Sequence, residues 1–472
     1  MPGKNFDSKN LPRLTKYFAL LLSVVFAISL IYQLITIQPV WLIITNFLLL
    51  VLSIIQYKLL AKLGSLQTET SEQENKINQL QDDLAEKLGK ARNVHRKILP
   101  NKIPEPETLS ISTFYQPAEY MGGDYYNIFQ IDHGTMNSLL NQYLIYYFDV
   151  SGHGIDSTLL SIFINNTLEN YFKLKHNPGE KVKPEEIMHY IDLQYQNEGF
   201  PDDYIVCLFL GLLDMNNYKL SYSSAGMHIP LYLIDKKKGL KKIDIGGLPL
   251  STGLGAIESR PKGEFILPEN NTLLLSTDGL FEQSKNSEAY HNRAEQILRE
   301  NKKLPAPFIK EALVSDFHDF TDDKPGDDDV TFMLVERPQG IIKEWQFNRA
   351  ENRWNEIIAD VEDLIFSQDI KNNESPTRDL INLFELMSAD IKEQLQAEEI
   401  KIKLNIHEDY ITITLQENTG KVDLKNILDA QKNSDAKLSK INTSDGFDLK
   451  GDKIYFSYNE FYNKLYFLIA SV

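Results

Sequence analysis

Four short acidic segments could do chemistry together. They are Met121-Gly-Gly-Asp124, Phe148-Asp-Val-Ser-Gly-His-Gly154, Ser276-Thr-Asp-Gly279 and Gly326-Asp-Asp-Asp-Val-Thr331. Each sets an aspartate beside glycine or at the end of an apolar run, where a strand tip presents a carboxylate to a cleft. Carboxylates that meet at one point repel one another unless a hard cation lies between them. A site of that kind suits divalent-metal hydrolysis of a phosphate ester. Taken singly, each segment also reads as a turn. Gly122-Gly123-Asp124 is a common turn sequence, and Asp278-Gly279 closes many hairpins. The apolar run Leu144-Ile-Tyr-Tyr-Phe-Asp149 says more, because a charge at a buried strand end needs a partner. Leu273-Leu-Leu-Ser-Thr-Asp278 repeats the design, and Asp327-Asp328-Asp329 crowds three like charges before another apolar run.

The elements that must position these groups are short β-like runs separated by turns. They cover Leu109–Phe114, Leu144–Asp149, Tyr204–Leu213, Lys219–Ser223, Pro230–Ile234, Thr272–Ser276 and Thr331–Glu336. Helical patterns interrupt them at Ile155–Lys175, Pro184–Tyr195 and near Ser287–Glu300. Many strands with few interleaved helices predict an α+β fold, with antiparallel sheets in layers covered by helices. The lone cysteine, Cys207, excludes an internal disulfide framework and a cysteine-rich zinc site, and reads as a small core residue. A formal charge of −17 with no basic stripe argues against a nucleic-acid partner.

The N-terminal part differs in kind. Tyr17–Ile37 and Val40–Ile55, with apolar character reaching Leu60, carry no charge and approach the length that crosses hydrocarbon. Gln38-Pro39 breaks them, so the pair reads as two transmembrane helices, about 17–37 and 40–60, joined by a tight turn. Lys4, Lys9, Arg13 and Lys16 before the first span, and Lys58 and Lys62 after the second, place both ends in the cytoplasm of an inner-membrane protein. Residues 61–99 are polar. Ile77, Leu80, Leu84 and Leu88 recur at helical spacing there, which predicts a helical linker able to form a coiled coil and a homodimer through 63–99.

The order and wording of the acidic segments resemble the PPM-type (type 2C) metal-dependent serine/threonine phosphatases, in their bacterial SpoIIE/RsbU-like branch. Ile98-Leu-Pro100 is similar to the Leu-Pro signature that leads into that domain. Tyr115-Gln-Pro-Ala-Glu-Tyr-Met-Gly-Gly-Asp-Tyr-Tyr126 is similar to the branch's Pro-Ala…Gly-Gly-Asp-Tyr-Tyr motif. Asp149-Val-Ser-Gly-His-Gly154, Ser276-Thr-Asp-Gly-Leu-Phe-Glu282 and Asp328-Asp-Val-Thr331 follow its later motifs. The resemblance implies a phosphatase domain over 100–338, built as a layered antiparallel β-sandwich flanked by helices. It implies that Asp124, Asp149, Asp278 and Asp328 are the catalytic carboxylates. With the carbonyl of Val150 they would bind two Mn²⁺ or Mg²⁺ ions, which would activate a hydroxide for attack on phosphorus. The alignment favours Asp328 over Asp327 within the triplet. Asn127 replaces a usual aspartate, and Met227 displaces the usual Asn-Ala-Gly-His histidine to His228, in a segment that reads as a structural loop. His153, between two glycines, reads as a locally packed residue, with proton donation as the sharper alternative.

After Pro338-Gln-Gly340, a second soluble region over 341–472 offers helices near Ala350–Phe366 and Asp379–Leu395. Its strands are expected at Ile400–Ile406, Tyr410–Gln416, Tyr455–Tyr458 and Leu465–Ile469. The layout resembles the histidine-kinase-like ATPase fold. Glu385 is followed by Ala389 and Asp390 rather than the expected asparagine, and the glycine loop is reduced to Glu417-Asn-Thr-Gly420, so a smaller α/β domain serving as a degenerate docking or regulatory module is expected, with an unrelated α/β module as the alternative. The function implied is a membrane-anchored phosphatase acting on a phosphorylated regulator of the anti-anti-sigma type. A non-catalytic scaffold that binds a phosphoprotein and a hydrolase of small phosphoesters are the alternatives.

Overall fold

Side-chain alternation along the apolar strands decides the layering. In strand β3 (Gln142–Val150), Tyr143, Ile145 and Tyr147 join one hydrophobic cluster while Leu144, Tyr146 and Phe148 join another. Successive strand residues point to opposite faces, so a strand apolar on every position must be covered on both sides. The computed structural model describes residues 11–36, 40–100, 103–104, 106, 108–131, 141–152, 154–175, 181–285, 288–324, 326–348, 353–367, 378, 381–382, 385, 399–407, 410–417, 438–440, 454–459 and 464–470. His153 and most of the expected Asp379–Leu395 helix, with Ala389, Asp390 and 418–420, lie outside them.

The chain divides into two units, Met1–Lys90 and Ala91–Val472. In the first, helix α1 (Leu11–Ile35) precedes the start of helix α2 (Val40–Ile98). The hydroxyls of Ser23 and Ser53 meet at 2.8 Å, so these two helices pack alongside each other. Among the described residues, α2 is the one helix long and apolar enough to cross a membrane; Leu20–Tyr32 in α1 is a shorter apolar stretch. A two-span hairpin is therefore not established. Ile77, Leu80 and Leu84 on α2 are exposed.

In the second unit, two five-stranded sheets stack on each other. One holds β1 (Ser110–Gln116), β6 (Leu231–Asp235), β7 (Gly239–Ile243), β9 (Asn271–Ser276) and β12 (Val330–Arg337), in the order β1-β12-β9-β6-β7. The other holds β2 (Tyr125–Gln130), β3, β4 (Val206–Asp214), β5 (Lys219–Ala225) and β8 (Lys262–Ile266), in the order β2-β3-β4-β5-β8. All pairings in both sheets are antiparallel. Ile145 and Tyr147 of one sheet share a core with Leu273, Leu275, Met333 and Val335 of the other.

Helices α3 (Ile155–Asn170) and α4 (Pro184–Glu198) cover the outer face of the β3 sheet through Leu160, Ile164, Ile187 and Ile191. The other sheet is covered by α5 (Gly279–Glu282), α6 (Tyr290–Glu300) and α7 (Ala306–Thr321). A two-residue ladder, β10 (Ser284–Lys285) with β11 (Glu288–Ala289), precedes α6. The result is the layered α+β sandwich expected from the sequence.

A third sheet follows. It comprises β13 (Ile341–Asn348), β14 (Glu399–Ile406), β15 (Tyr410–Glu417), β16 (Leu438–Lys440), β17 (Ile454–Asn459) and β18 (Lys464–Ala470), in the order β13-β14-β15-β18-β17-β16. Helix α8 (Trp354–Ser367) packs on one face through Trp354, Ile357 and Val361. From the other face Tyr410, Tyr466 and Leu468 enter the cluster built by α6 and α7. There Lys236 donates to Glu336 at 2.8 Å and to the Tyr410 hydroxyl at 2.6 Å, with Lys236 and Glu336 almost fully buried.

Candidate metal centre

The antiparallel register brings the acidic segments to one end of the sandwich. Tyr125 pairs with Phe148, so Asp124, just before β2, and Asp149, near the end of β3, are neighbours. In the facing sheet, Phe332 pairs with Ser276, which sets Asp278 beyond the end of β9 close to Asp328 and Asp329 before the start of β12. The two tips face each other: a hydrogen bond of 2.8 Å joins the Thr277 hydroxyl of one sheet to Asp124 Oδ2 of the other.

Glycine makes this approach possible. A Cβ on Gly122 would lie 2.2 Å from Asp329 Oδ2, and one on Gly123 would lie 2.7 Å from the Val150 carbonyl oxygen. With no side chain there, the Asp329 carboxylate enters the loop. It accepts from the amides of Ala118 (2.8 Å), Gly123 (2.6 Å) and Asp124 (3.3 Å). From the other side the Thr158 hydroxyl donates to the Gly122 carbonyl at 3.0 Å. Asp329 is thus a buried strut that fixes the loop carrying Asp124. Asp328 is exposed, and its Oδ1 accepts from the Asp329 amide at 2.8 Å.

Asp124 is 1% exposed. Burial first, then the charges of Asp149 and Asp329, push its carboxyl well above the usual range. Asp149 is raised for the same first reason, followed by Asp278, Asp328 and Asp329. Asp278 is also raised by burial, with His228 opposing. Asp124 Oδ1 and Asp278 Oδ1 are buried with no hydrogen-bond partner. Buried oxygens are normally paired, so two orphan carboxylate oxygens among mutually repelling acids are the donor set of a hard divalent cation. The residues present therefore fit such an ion.

The structure brings Asp124, Asp149, Asp278 and Asp328 together, with Val150 at the end of β3 beside Gly123. Asp327 is exposed and turned toward Gln283, whose amide nitrogen lies 3.3 Å from its Oδ2. The sequence reading missed His228. It places Nε2 2.8 Å from Glu282 Oε1 and 3.7 Å from Asp278 Oδ2, while Met227 is buried in the core. The Asp-Gly-Leu-Phe-Glu282 spacing puts Glu282 one helical turn past Asp278, a signal that could have pointed to a partner for it. Asn127 contacts the Tyr146 hydroxyl at 3.3 Å. Cys207, the ladder partner of Asp149, is half-buried against the sandwich core; burial and then Asp149 push its thiol up to about 12.

Residues 141–338 match the family model of stage II sporulation protein E, SpoIIE. This stretch is a SpoIIE-family domain. It contains Asp149, Val150, Asp278 and Asp328, and Asp124 lies just upstream. The chain is 23% identical over 244 residues to phosphoserine phosphatase RsbP of Bacillus subtilis (strain 168), covering 51% of this chain and 56% of RsbP. It is also 23% identical over 190 residues to protein IcfG of Synechocystis, covering 35% of this chain and 29% of IcfG. The chain thus spans about half the length of RsbP, and less of IcfG. Among solved structures, the chain is similar to the SiaA-PP2C domain of Pseudomonas aeruginosa (22% identity, TM-score 0.45, 54% of this chain and 98% of that one). Another similar structure holds the RsbU and RsbW domains of a Mycobacterium tuberculosis protein (15% identity, TM-score 0.42, 79% of this chain and 95% of that one).

Proposed function

We propose that the chain is a membrane-anchored, divalent-metal-dependent phosphatase that removes phosphate from serine or threonine of a regulatory phosphoprotein. The observation that carries this is the convergence of Asp124, Asp149 and Asp278 with two buried carboxylate oxygens left unpaired. The SpoIIE-family match and the phosphoserine phosphatase RsbP among the relatives support the same chemistry. Asp124, Asp149, Asp278, Asp328 and the Val150 carbonyl would hold two Mn²⁺ or Mg²⁺ ions. Bound there, such ions supply charge neutralisation at phosphorus and an activated water. The protein's own part is to hold the carboxylates fixed: Asp329 ties the Asp124 loop to β12, and Thr277 orients Asp124 Oδ2. His228, tethered by Glu282, stands beside Asp278 at the half-exposed edge of the site.

The substrate is a phosphorylated regulator of the anti-anti-sigma type. The apolar start of α2 anchors the chain in the membrane, its catalytic domain is cytoplasmic, and the exposed seam of Ile77, Leu80 and Leu84 pairs two copies as a coiled coil. The region after 340 is a docking or regulatory module. The test uses the full-length chain in detergent with Mn²⁺ or Mg²⁺. Release of phosphate from p-nitrophenyl phosphate and from a phosphoserine protein is expected. Asp149→Asn should lower it by about two orders of magnitude or more. Wild-type protein inactive with both metals on both substrates would sink the reading.

A further inference from the structure

Away from the acidic centre, the fold gathers lysines that no short stretch of sequence brings together. Asp235 at the end of β6 pairs with Asn271 at the start of β9, whereas Asp278 follows the other end of β9. The turn from β6 to β7 carries Lys237 and Lys238, β7 carries Lys241 and Lys242, and the connection from α6 to α7 carries Lys302 and Lys303. The Lys302 ammonium donates to the Lys237 carbonyl at 3.3 Å, which holds the two connections side by side. Acids answer part of this charge. Glu295 is shared by Lys242, His291 and Arg299. Asp235 accepts from the amides of Lys237 and Lys238, and its carboxylate also feels the Lys238 charge. Lys237, Lys241, Lys302 and Lys303 make no ion pair with a carboxylate among the described residues. Lys302 is half-buried and the other three are exposed. In a chain of formal charge −17 such a surface stands apart.

Strand β7 adds a second observation. It is the last strand of its sheet and pairs with β6 on one side only. Along its outer edge the backbone N–H and C=O groups meet no other strand among the described residues. Lysines on an edge strand guard it against stray pairing, and Lys241 and Lys242 suffice for that. Lys237, Lys302 and Lys303 sit off the strand, so edge protection does not account for them.

We propose that β7 takes an acidic, extended segment of a partner protein as an added strand, its carboxylates met by Lys237, Lys241, Lys302 and Lys303. Main-chain pairing along a free edge supplies affinity, and the surrounding charge selects which segment binds. A bilayer or a nucleic acid would use the lysines and leave the strand edge idle, so a protein segment fits both observations. The surface lies toward the opposite end of β9 from Asp278, and a partner held there leaves the acidic centre uncovered.

The probe is a short fluorescein-labelled peptide of alternating threonine and glutamate. Its binding to the full-length chain in detergent, with EDTA present, is followed by fluorescence anisotropy. Saturable binding that weakens with added salt is expected. The triple variant Lys237→Gln, Lys302→Gln, Lys303→Gln should weaken it about tenfold, and Lys241→Gln alone about twofold. The same peptide with every amide nitrogen methylated cannot donate along a strand and should bind wild type severalfold more weakly. Thermal melts establish that each variant is folded. Binding that fails to saturate, or that is equal in wild type and the triple variant, overturns the proposal. Methylation without effect also overturns it, because only diffuse charge attraction would then remain. Duplex DNA, or phosphatidylglycerol mixed into the micelles, might instead displace the probe at a lower concentration than unlabelled peptide does; that result would assign the lysines to a nucleic acid or a membrane and overturn the proposal. Because the readout needs neither metal nor turnover, its outcome is independent of whether the chain hydrolyses phosphate.

Discussion

At the scale of single residues, the triplet Asp327-Asp328-Asp329 shows how adjacent identical side chains take different work. Asp329 is buried under three amides, Asp328 is exposed beside Asp149, and Asp327 faces Gln283. Asp329→Ala strips an acceptor from buried amides, at about 1–3 kcal/mol for each one left unsatisfied. A large fall in melting temperature is expected even without metal. Asp328→Ala removes an exposed side chain whose hydrogen bond to the Asp329 amide is worth about 1 kcal/mol, and should melt closer to wild type than Asp329→Ala while losing Mn²⁺ affinity and turnover. Calorimetric melts and metal titration of both variants check this; the opposite pattern would exchange the two roles. The sequence showed where acids gather, because a charge closing an apolar run is conspicuous. It did not show that Asp329 is a strut, since that depends on two glycines far away in the chain having no Cβ. His228 was hidden for a related reason: its partners Asp278 and Glu282 come from another strand end.

At the scale of elements, legibility followed burial. The apolar strands β3, β4, β9 and β12 and the helices α3 and α4 stand out because each repeats apolar residues at its own period. Strands β7 and β8 lie at sheet edges, and Lys241, Lys242 and Lys262 give them the look of loops. Helix α7 is buried along most of its length and enters through Pro305 and Pro307, which mimic a break. Between the sandwich and the third sheet, Lys236, Glu336 and Tyr410 form a contact that no local pattern announces. Glu336 also accepts from the Ala306 amide at 2.9 Å, and Lys236 lies 4.6 Å from the centre of the Tyr410 ring. Removing one member of a buried pair strands the other charge, so Glu336→Ala should cost about 3–5 kcal/mol. Tyr410→Phe, which keeps the ring, should cost about 1 kcal/mol. Denaturant unfolding of the two variants tests this, and equal small effects would show that Lys236 finds water instead.

At the scale of the whole molecule, the acidic centre links stability to pH and metal. Asp124, Asp149 and Asp278 all have folded-state values raised above those of the unfolded chain. Their contribution is therefore complete below the ordinary carboxylate range, about pH 4, and is lost as pH rises through the raised values. With EDTA, the melting temperature relative to that of an Asp124→Asn, Asp149→Asn variant should fall as pH increases from that point. Added Mn²⁺ should cancel the fall in wild type and leave the variant unmoved. A wild-type chain that gains stability relative to the variant across that range, without metal, would contradict the burial argument.

One strand joins these scales. β12 begins immediately after Asp328 and Asp329 and carries Glu336 near its far end, roughly 25 Å away at the rise of an antiparallel strand. Only Pro338-Gln339-Gly340 separate it from β13, and a Cβ on Gly340 would stand 2.1 Å from the Ile406 carbonyl oxygen. Three residues make a short tether, and Gly340 packs against the Ile406 carbonyl, so we predict that the third sheet moves with β12 rather than as a separate passenger. Whatever engages it must pull on the same rod that ends among the acids, and amide exchange along β12 should report both ends opening together.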